Sequence, residues 1–109
     1  MRKTHRMKFA HAKEKLLSGQ KTVTRRTAWY HVRPGDLIIA TDETGTNELA
    51  RLKVVSVQDQ RIEDITTVDV FREGFTCTKQ EFVKWFCKEF KRKPQEFVNR
   101  IEFRKVSYL

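Results

Sequence analysis

The chain has 109 residues, 39% of them hydrophobic, 11% aromatic and 34% charged, with a formal net charge of +9. A chain of this length exposes about 6,300 Å2 folded against about 18,900 Å2 unfolded, which allows one modest core and leaves no room for a doubly wound dinucleotide domain or a repeat array. No apolar run reaches the ~20 residues of a transmembrane helix and none follows the basic start as in a secretory leader, so a soluble, cytoplasmic protein without membrane contact is expected.

Residues 1–6 are polar and basic and read as a frayed arm ahead of a single domain over 7–109. Met7-Lys8-Phe9 suits a short strand. From His11 to Leu17 good helix formers dominate, and Ser18-Gly19 stops them, because glycine takes the left-handed conformation that ends a helix. Lys21–Arg26 is β-branched and alternating, hence a strand. Pro34 pushes Arg33 to extended backbone and Gly35 permits a turn, so residues 27–35 form a loop. A strand opens at Asp36 and runs to Asp42. The polar Glu43–Thr46 then suits a hairpin turn into a strand over Leu49–Val57, where the adjacent Val54 and Val55 break the alternation as a bulge does. These three strands are expected to be antiparallel in chain order and strongly bent.

Thr66 or Thr67 can cap a short helix over Asp69–Glu73, closed by Gly74. The next helix is signalled better: Thr78-x-x-Glu81 is a capping box, and Phe82, Val83, Phe86, Cys87 and Phe90 recur at helical spacing, with Pro94 beyond the end. Val98–Val106 alternates as a last strand. The expected fold is α+β, a small mixed or antiparallel β-barrel with two or three flanking helices.

Charge is unevenly spread. Residues 1–35 carry ten Lys/Arg against Glu14 alone, Asp36–Thr78 is acidic, and the remainder is basic again, densest at Lys91-Arg92-Lys93. Such asymmetry suits a phosphate backbone, a nucleotide or another anion, the plain alternative being a solvated charged surface. Cys77 and Cys87 are too few for a disulfide framework and lack zinc spacing. Without a phosphate loop, GxGxxG, HExxH or a Cys/His cluster, neither a metal nor a cofactor is expected. His5, His11 and His31 are scattered and read as surface residues. Trp29 and Tyr30, adjacent in a basic loop, fit stacking on a base, which contributes ~1–3 kcal/mol, or packing over the barrel mouth. Trp85 and Phe86 read as core.

The dense segment is Gly19-Gln-Lys-Thr-Val-Thr-Arg-Arg26, a glycine turn followed by a lysine, hydroxyls and two arginines, suited to anions. GxKxxxxR between a short helix and a strand, followed by PGD at residues 34–36, resembles the ASCH domain, a PUA-like fold. Most of that family carries an acidic residue where this chain has Thr24. The pattern G-x-K-T-x-T-x-R is similar to a bacterial branch of small single-domain members that hydrolyse the acetyl amide of N(4)-acetylcytidine. The resemblance implies Thr24 as nucleophile, Lys21 as its base and Glu73 as proton shuttle; the basic segment and the aromatic loop add Gly19, Arg25, Arg26, Trp29 and Tyr30 as candidate substrate or nucleic-acid contacts. A hydroxyl attacks only when a neighbouring base takes its proton, so the Lys21 ammonium has to fall from its reference value of ~10.4. Arg25, Arg26 and partial burial push it that way. Residues three apart on a straight strand diverge, so the scheme requires Lys21 to lie in the turn after Gly19. The implied partner is a modified nucleoside or RNA, and the chain acts as a monomer or small homo-oligomer. The competing readings are a noncatalytic RNA-binding module using the same cleft and, behind it, a ribonuclease built on the same three residues.

Overall fold

The computed structural model describes residues 2–11 and 13–107; the parts of the sequence readings that fall on Met1, Ala12, Tyr108 and Leu109 lie outside it. Five strands, β1 (Thr4–Lys8), β2 (Val23–Arg26), β3 (Leu37–Thr41), β4 (Glu48–Arg61) and β5 (Phe97–Val106), form one mixed sheet in the order β1-β3-β4-β5-β2. Three helices accompany it: α1 (Lys13–Ser18), α2 (Thr67–Arg72) and α3 (Lys79–Phe90). The α+β expectation holds.

Four details differ from the sequence reading. Thr4–Arg6 are not a frayed arm, because they lie in β1, whose Thr4 to Lys8 pair in parallel with Leu37 to Thr41 of β3. Of the three early strands, β3 and β4 form the expected antiparallel hairpin, but β2 does not join them: it is antiparallel to β5, from Val23 opposite Glu102 to Arg26 opposite Asn99. The cause is the loop 27–35, which buries Val32 in the core and carries the chain across it, so β3 takes β1 and β4 as neighbours. Lys21 and Thr22 precede the strand instead of opening it, and Asp36 likewise stands just outside β3. The barrel is not closed by a backbone ladder among the described residues; Arg26 Nη2 donates to the Lys8 carbonyl at 2.7 Å across the two edges instead.

The sheet is nonetheless curled, since Met7 and Phe9 at one edge share a core with Ile101 and Phe103 of β5, along with Ile38, Leu52 and Val54. Val55 supplies the expected bulge: the β4–β5 register shifts between Val54 and Ser56, and Val55 itself is turned outward. A second core, built from Ile62, Ile65, Val70, Phe82, Phe86 and Val98, seats α2 and α3 against the far half of β4 and β5. Phe82 has no exposed surface, and burial of such a side chain stabilises by ~1.5–3 kcal/mol.

Helix α3 is set by local chemistry. Thr78 Oγ1 accepts from the Glu81 N–H at 3.1 Å while Glu81 Oε1 accepts from the Thr78 N–H at 2.9 Å, and Lys91 ends the helix in left-handed backbone at φ 53°. Thr78→Ala removes one half of this reciprocal cap and is expected to lower stability by about 1 kcal/mol, read as a lower urea midpoint with an unchanged slope.

Candidate active site

Gly19 takes φ 89° with no atom near the space a side chain would occupy, so the chain turns there and Lys21 arrives ahead of the alternation of β2. The turn is pinned at both sides. Lys21 N–H donates to the Lys15 carbonyl at 3.0 Å and Thr22 N–H to the Arg72 carbonyl at 2.8 Å. Lys21, outside the strand, and Thr24, within it, therefore face one cavity, and the requirement raised by their spacing is met.

The cavity measures about 310 Å3. Lys21, Thr24, Arg25, Arg26 and Glu73 line it together, so five of the eight residues singled out by sequence converge. Thr24, Lys21 and Glu73 are each no more than 5% exposed. Lys21 Nζ donates to the Val23 carbonyl at 2.9 Å, to the Glu73 carbonyl at 2.9 Å and to Glu73 Oε1 at 3.0 Å. Glu73 sits at the C-terminal cap of α2, and its other oxygen, Oε2, accepts from Arg25 Nη1 at 2.9 Å. Arg26 Nε donates to Thr24 Oγ1 at 3.4 Å, and its guanidinium lies 4.8 Å over the ring of Phe9.

Burial dominates the electrostatics here. It holds the Lys21 ammonium below its ordinary 10.5, against the attraction and hydrogen bond of Glu73, and Arg26 and Arg25 push in the same direction as burial. Burial also draws Arg26 down to about 10, which leaves it charged at neutral pH.

The rest of the lining is aromatic: Phe9, Phe75, Trp85, Phe86 and Phe90, with Lys8, His11, Glu43 and Glu89 as the remaining charged or polar groups. Trp85 and Phe86 thus belong to the cavity wall as well as to the core. His11 presents its edge to Trp85 with ring centroids 5.1 Å apart and pairs with Glu89 at 3.2 Å, which ties the chain before α1 to α3.

No protein-family model matches the sequence, and no curated protein matches it significantly. Its shape does match solved structures. Protein EF3133 from Enterococcus faecalis V583 superposes with a TM-score of 0.78 over 94% of this chain and 76% of its own, at 16% identity. The ASCH domain from Lactobacillus crispatus JV V101 gives 0.68 over 94% and 79%, at 13% identity. ASCH from Zymomonas mobilis gives 0.64 over 91% and 65%, at 14% identity.

The chain has the ASCH fold.

Within that fold the remaining expected contacts lie away from the cavity. Gly19 shapes the turn without lining the site. Trp29 is packed against the first core, stacks on His31 with centroids 5.2 Å apart, and donates its backbone N–H to Asn99 Oδ1 at 2.8 Å. Tyr30 is 59% exposed and is not part of the cavity wall. The loop that carries these aromatics turns over the core instead of into the cavity, and of the two readings offered for the pair Trp29 shows the packing one. His5, expected at the surface, is largely covered and bonds Asp36 Oδ2 at 2.8 Å. The aromatic wall from α3 and the carboxylate Asp69 behind Arg25 were not singled out from sequence. The helical stripe that signalled Phe82, Phe86 and Phe90 was the trace available. No group of three or more His, Cys, Asp or Glu side chains among the described residues is placed to hold a metal ion, and no described helix is long and apolar enough to cross a membrane.

Asp36, the end of the PGD segment, anchors the loop. It accepts from the N–H groups of Lys3 and Arg33 and from His5, at 2.8 to 3.0 Å. Burial opposes its ionisation, and the bonds from His5, Lys3 and Arg33 outweigh it, holding the carboxyl at about 2. A carboxylate depressed on folding stabilises above its unfolded value, and that contribution is lost as pH falls through the folded value. Asp36→Asn is therefore expected to melt lower than the wild type near neutral pH and to show a flatter decline between about pH 4 and about pH 2. Thermal melts across that range check it, and parallel declines would contradict it.

Proposed function

We propose that the protein is an amidohydrolase that removes the acetyl group from N(4)-acetylcytidine or a related acylated cytosine nucleoside. The observation that carries this reading is the convergence of Thr24, Lys21 and Glu73, all buried, in one cavity with aromatic walls. Aromatic side chains stack on a planar base, and the buried lysine with a lowered pKa is the kind of group that serves as a base near neutral pH.

Passing a proton from Lys21 Nζ to Glu73 Oε1, 3.0 Å away, leaves an amine with one lone pair and two N–H groups. One of its three acceptors is then released, and the lone pair takes the Thr24 hydroxyl proton as Oγ1 attacks the acetyl carbonyl. Arg26, already donating to Thr24 Oγ1, stabilises the developing negative charge. The tetrahedral intermediate collapses by breaking the bond to the exocyclic nitrogen, which leaves as the cytosine amine with the proton returned through Glu73. Lys21 passes the proton it took from Thr24 to Glu73 and is again an amine. It then deprotonates a water that attacks the acetyl–Thr24 ester, the Thr24 oxygen leaves and takes the proton back from Glu73, and acetic acid departs and ionises to acetate.

One observation favours the second reading, a noncatalytic RNA-binding module. All three N–H groups of Lys21 are engaged by acceptors of the protein itself, as in a structural ammonium. Turnover separates the two. The purified protein incubated with N(4)-acetylcytidine is expected to yield cytidine and acetate, resolved by chromatography. Thr24→Val, which keeps the β-branched shape and loses the hydroxyl, is expected to remain folded and to lose at least about a hundredfold in kcat. Retained turnover in Thr24→Val would move the nucleophile to water. Absence of turnover, together with RNA binding that weakens in Lys21→Ala, would give the binding module.

A further inference from the structure

Directly behind the cavity two arginines face each other across paired strands. Arg25 of β2 is the register partner of Arg100 of β5, and like charges so placed are destabilising unless a counter-charge lies between them. Asp69 of α2 is that counter-charge. Its Oδ2 accepts from Arg25 Nη2 at 2.7 Å and from Arg100 Nε at 2.6 Å, and its Oδ1 accepts from Arg100 Nη2 at 3.1 Å.

Asp69 and Glu73 are four residues apart, one turn of α2 and its cap, so both carboxylates project to the same side. They divide Arg25 between them, Nη1 to Glu73 and Nη2 to Asp69, with Gln60 accepting from Nη2 as well. The Arg25 side chain is wholly buried, and its Nε finds no acceptor among the described residues. A buried donor left unpaired is costly. The guanidinium is thus oriented for its two carboxylates at the expense of its own third donor direction. Asp69 does not line the cavity.

We propose that Asp69 is a positioning residue for the site: by bridging Arg25 and Arg100 it fixes the guanidinium that holds Glu73 against Lys21. The proposal rests on the hydrolase reading for its kinetic consequence and on geometry alone for the arrangement. Without Asp69, Arg25 is free to engage both oxygens of Glu73, which draws that carboxylate from Lys21. The loss of one negative charge and the loss of the Glu73 contact both disfavour the Lys21 ammonium. Arg72 on α2, whose Nη1 is 3.8 Å from Asp69 Oδ1, also loses that charge and keeps Glu102 of β5 at 2.7 Å, while Glu102 stays 3.6 Å from Arg100. The other charged groups around the site, Arg26 on β2, Lys8 on β1, His11 before α1, Glu43 in the hairpin and Glu89 on α3, are unchanged by the substitution.

For Asp69→Asn, the ascending limb of kcat/KM against pH is expected to move to lower pH by about one unit. The same variant should lose about tenfold in kcat with KM nearly unchanged, since Asp69 touches no part of the cavity. A second readout needs no substrate turnover: trace acetylation of the protein by acetic anhydride at a series of pH values, with Lys21 labelling quantified by peptide mass spectrometry. Its midpoint should shift downward by the same amount. If the wild type leaves N(4)-acetylcytidine intact, the hydrolase reading falls and the labelling midpoint still decides the role of Asp69.

An unmoved limb and an unmoved midpoint in a folded Asp69→Asn would overturn the proposal. If that variant does not fold, Asp69→Glu, which keeps the charge and displaces it by one methylene, is measured in the same way. Failure of both variants to fold would assign Asp69 to the scaffold alone and overturn the proposal too.

Discussion

Everything at the cavity depends on one carboxylate shared by two buried cations. Glu73 gives one oxygen to Lys21 at 3.0 Å and the other to Arg25 at 2.9 Å, and all three side chains are nearly or wholly excluded from water. Charges taken out of water are tolerated only when paired and hydrogen-bonded, and removing one partner of such a set commonly costs ~3–5 kcal/mol. The pairing therefore holds the end of α2 against the turn after Gly19 and fixes which way Lys21 points. Thr22 N–H on the Arg72 carbonyl and Lys21 Nζ on the Glu73 carbonyl stitch the same two segments by backbone.

Under the proposed hydrolase reading, the surroundings suit this cluster to chemistry. Burial disfavours the charge on Lys21, and Arg26 and Arg25 act in the same direction, even though Glu73 favours it. Facing this polar floor is the apolar wall from Phe75 and α3, which excludes water and suits a flat ring. A weak hydroxyl nucleophile needs that combination: a base that is neutral part of the time, a cation near the oxyanion, and few competing waters.

The signals legible in the sequence were those that act over a few residues. The capping box at Thr78 and Glu81, the positive φ at Gly19 and the bulge at Val55 encode their geometry locally, and each is found where expected, while the strand read from Lys21 begins two residues later at Val23. What the sequence hid depends on pairing between distant residues. Nothing near Thr4 announces a parallel partner at Leu37, and nothing near Asp69 announces that Arg25 and Arg100, 44 and 31 residues away, will meet at its side chain. Trp29 and Tyr30 stayed open between stacking and packing for a related reason: the choice for Trp29 depends on the distant core residues against which it and the buried Val32 pack.

The account stands on the protonation of one side chain. Titration of the Lys21 ε-methylene by NMR in protein labelled with 13C-lysine, assigned by comparison with Lys21→Met, measures it without any substrate. The account predicts a midpoint clearly below the ordinary 10.5, because burial and the neighbouring arginines outweigh Glu73. A Lys21 that titrates at or above that value would be a permanently charged structural ammonium, and the cavity would have no base for Thr24.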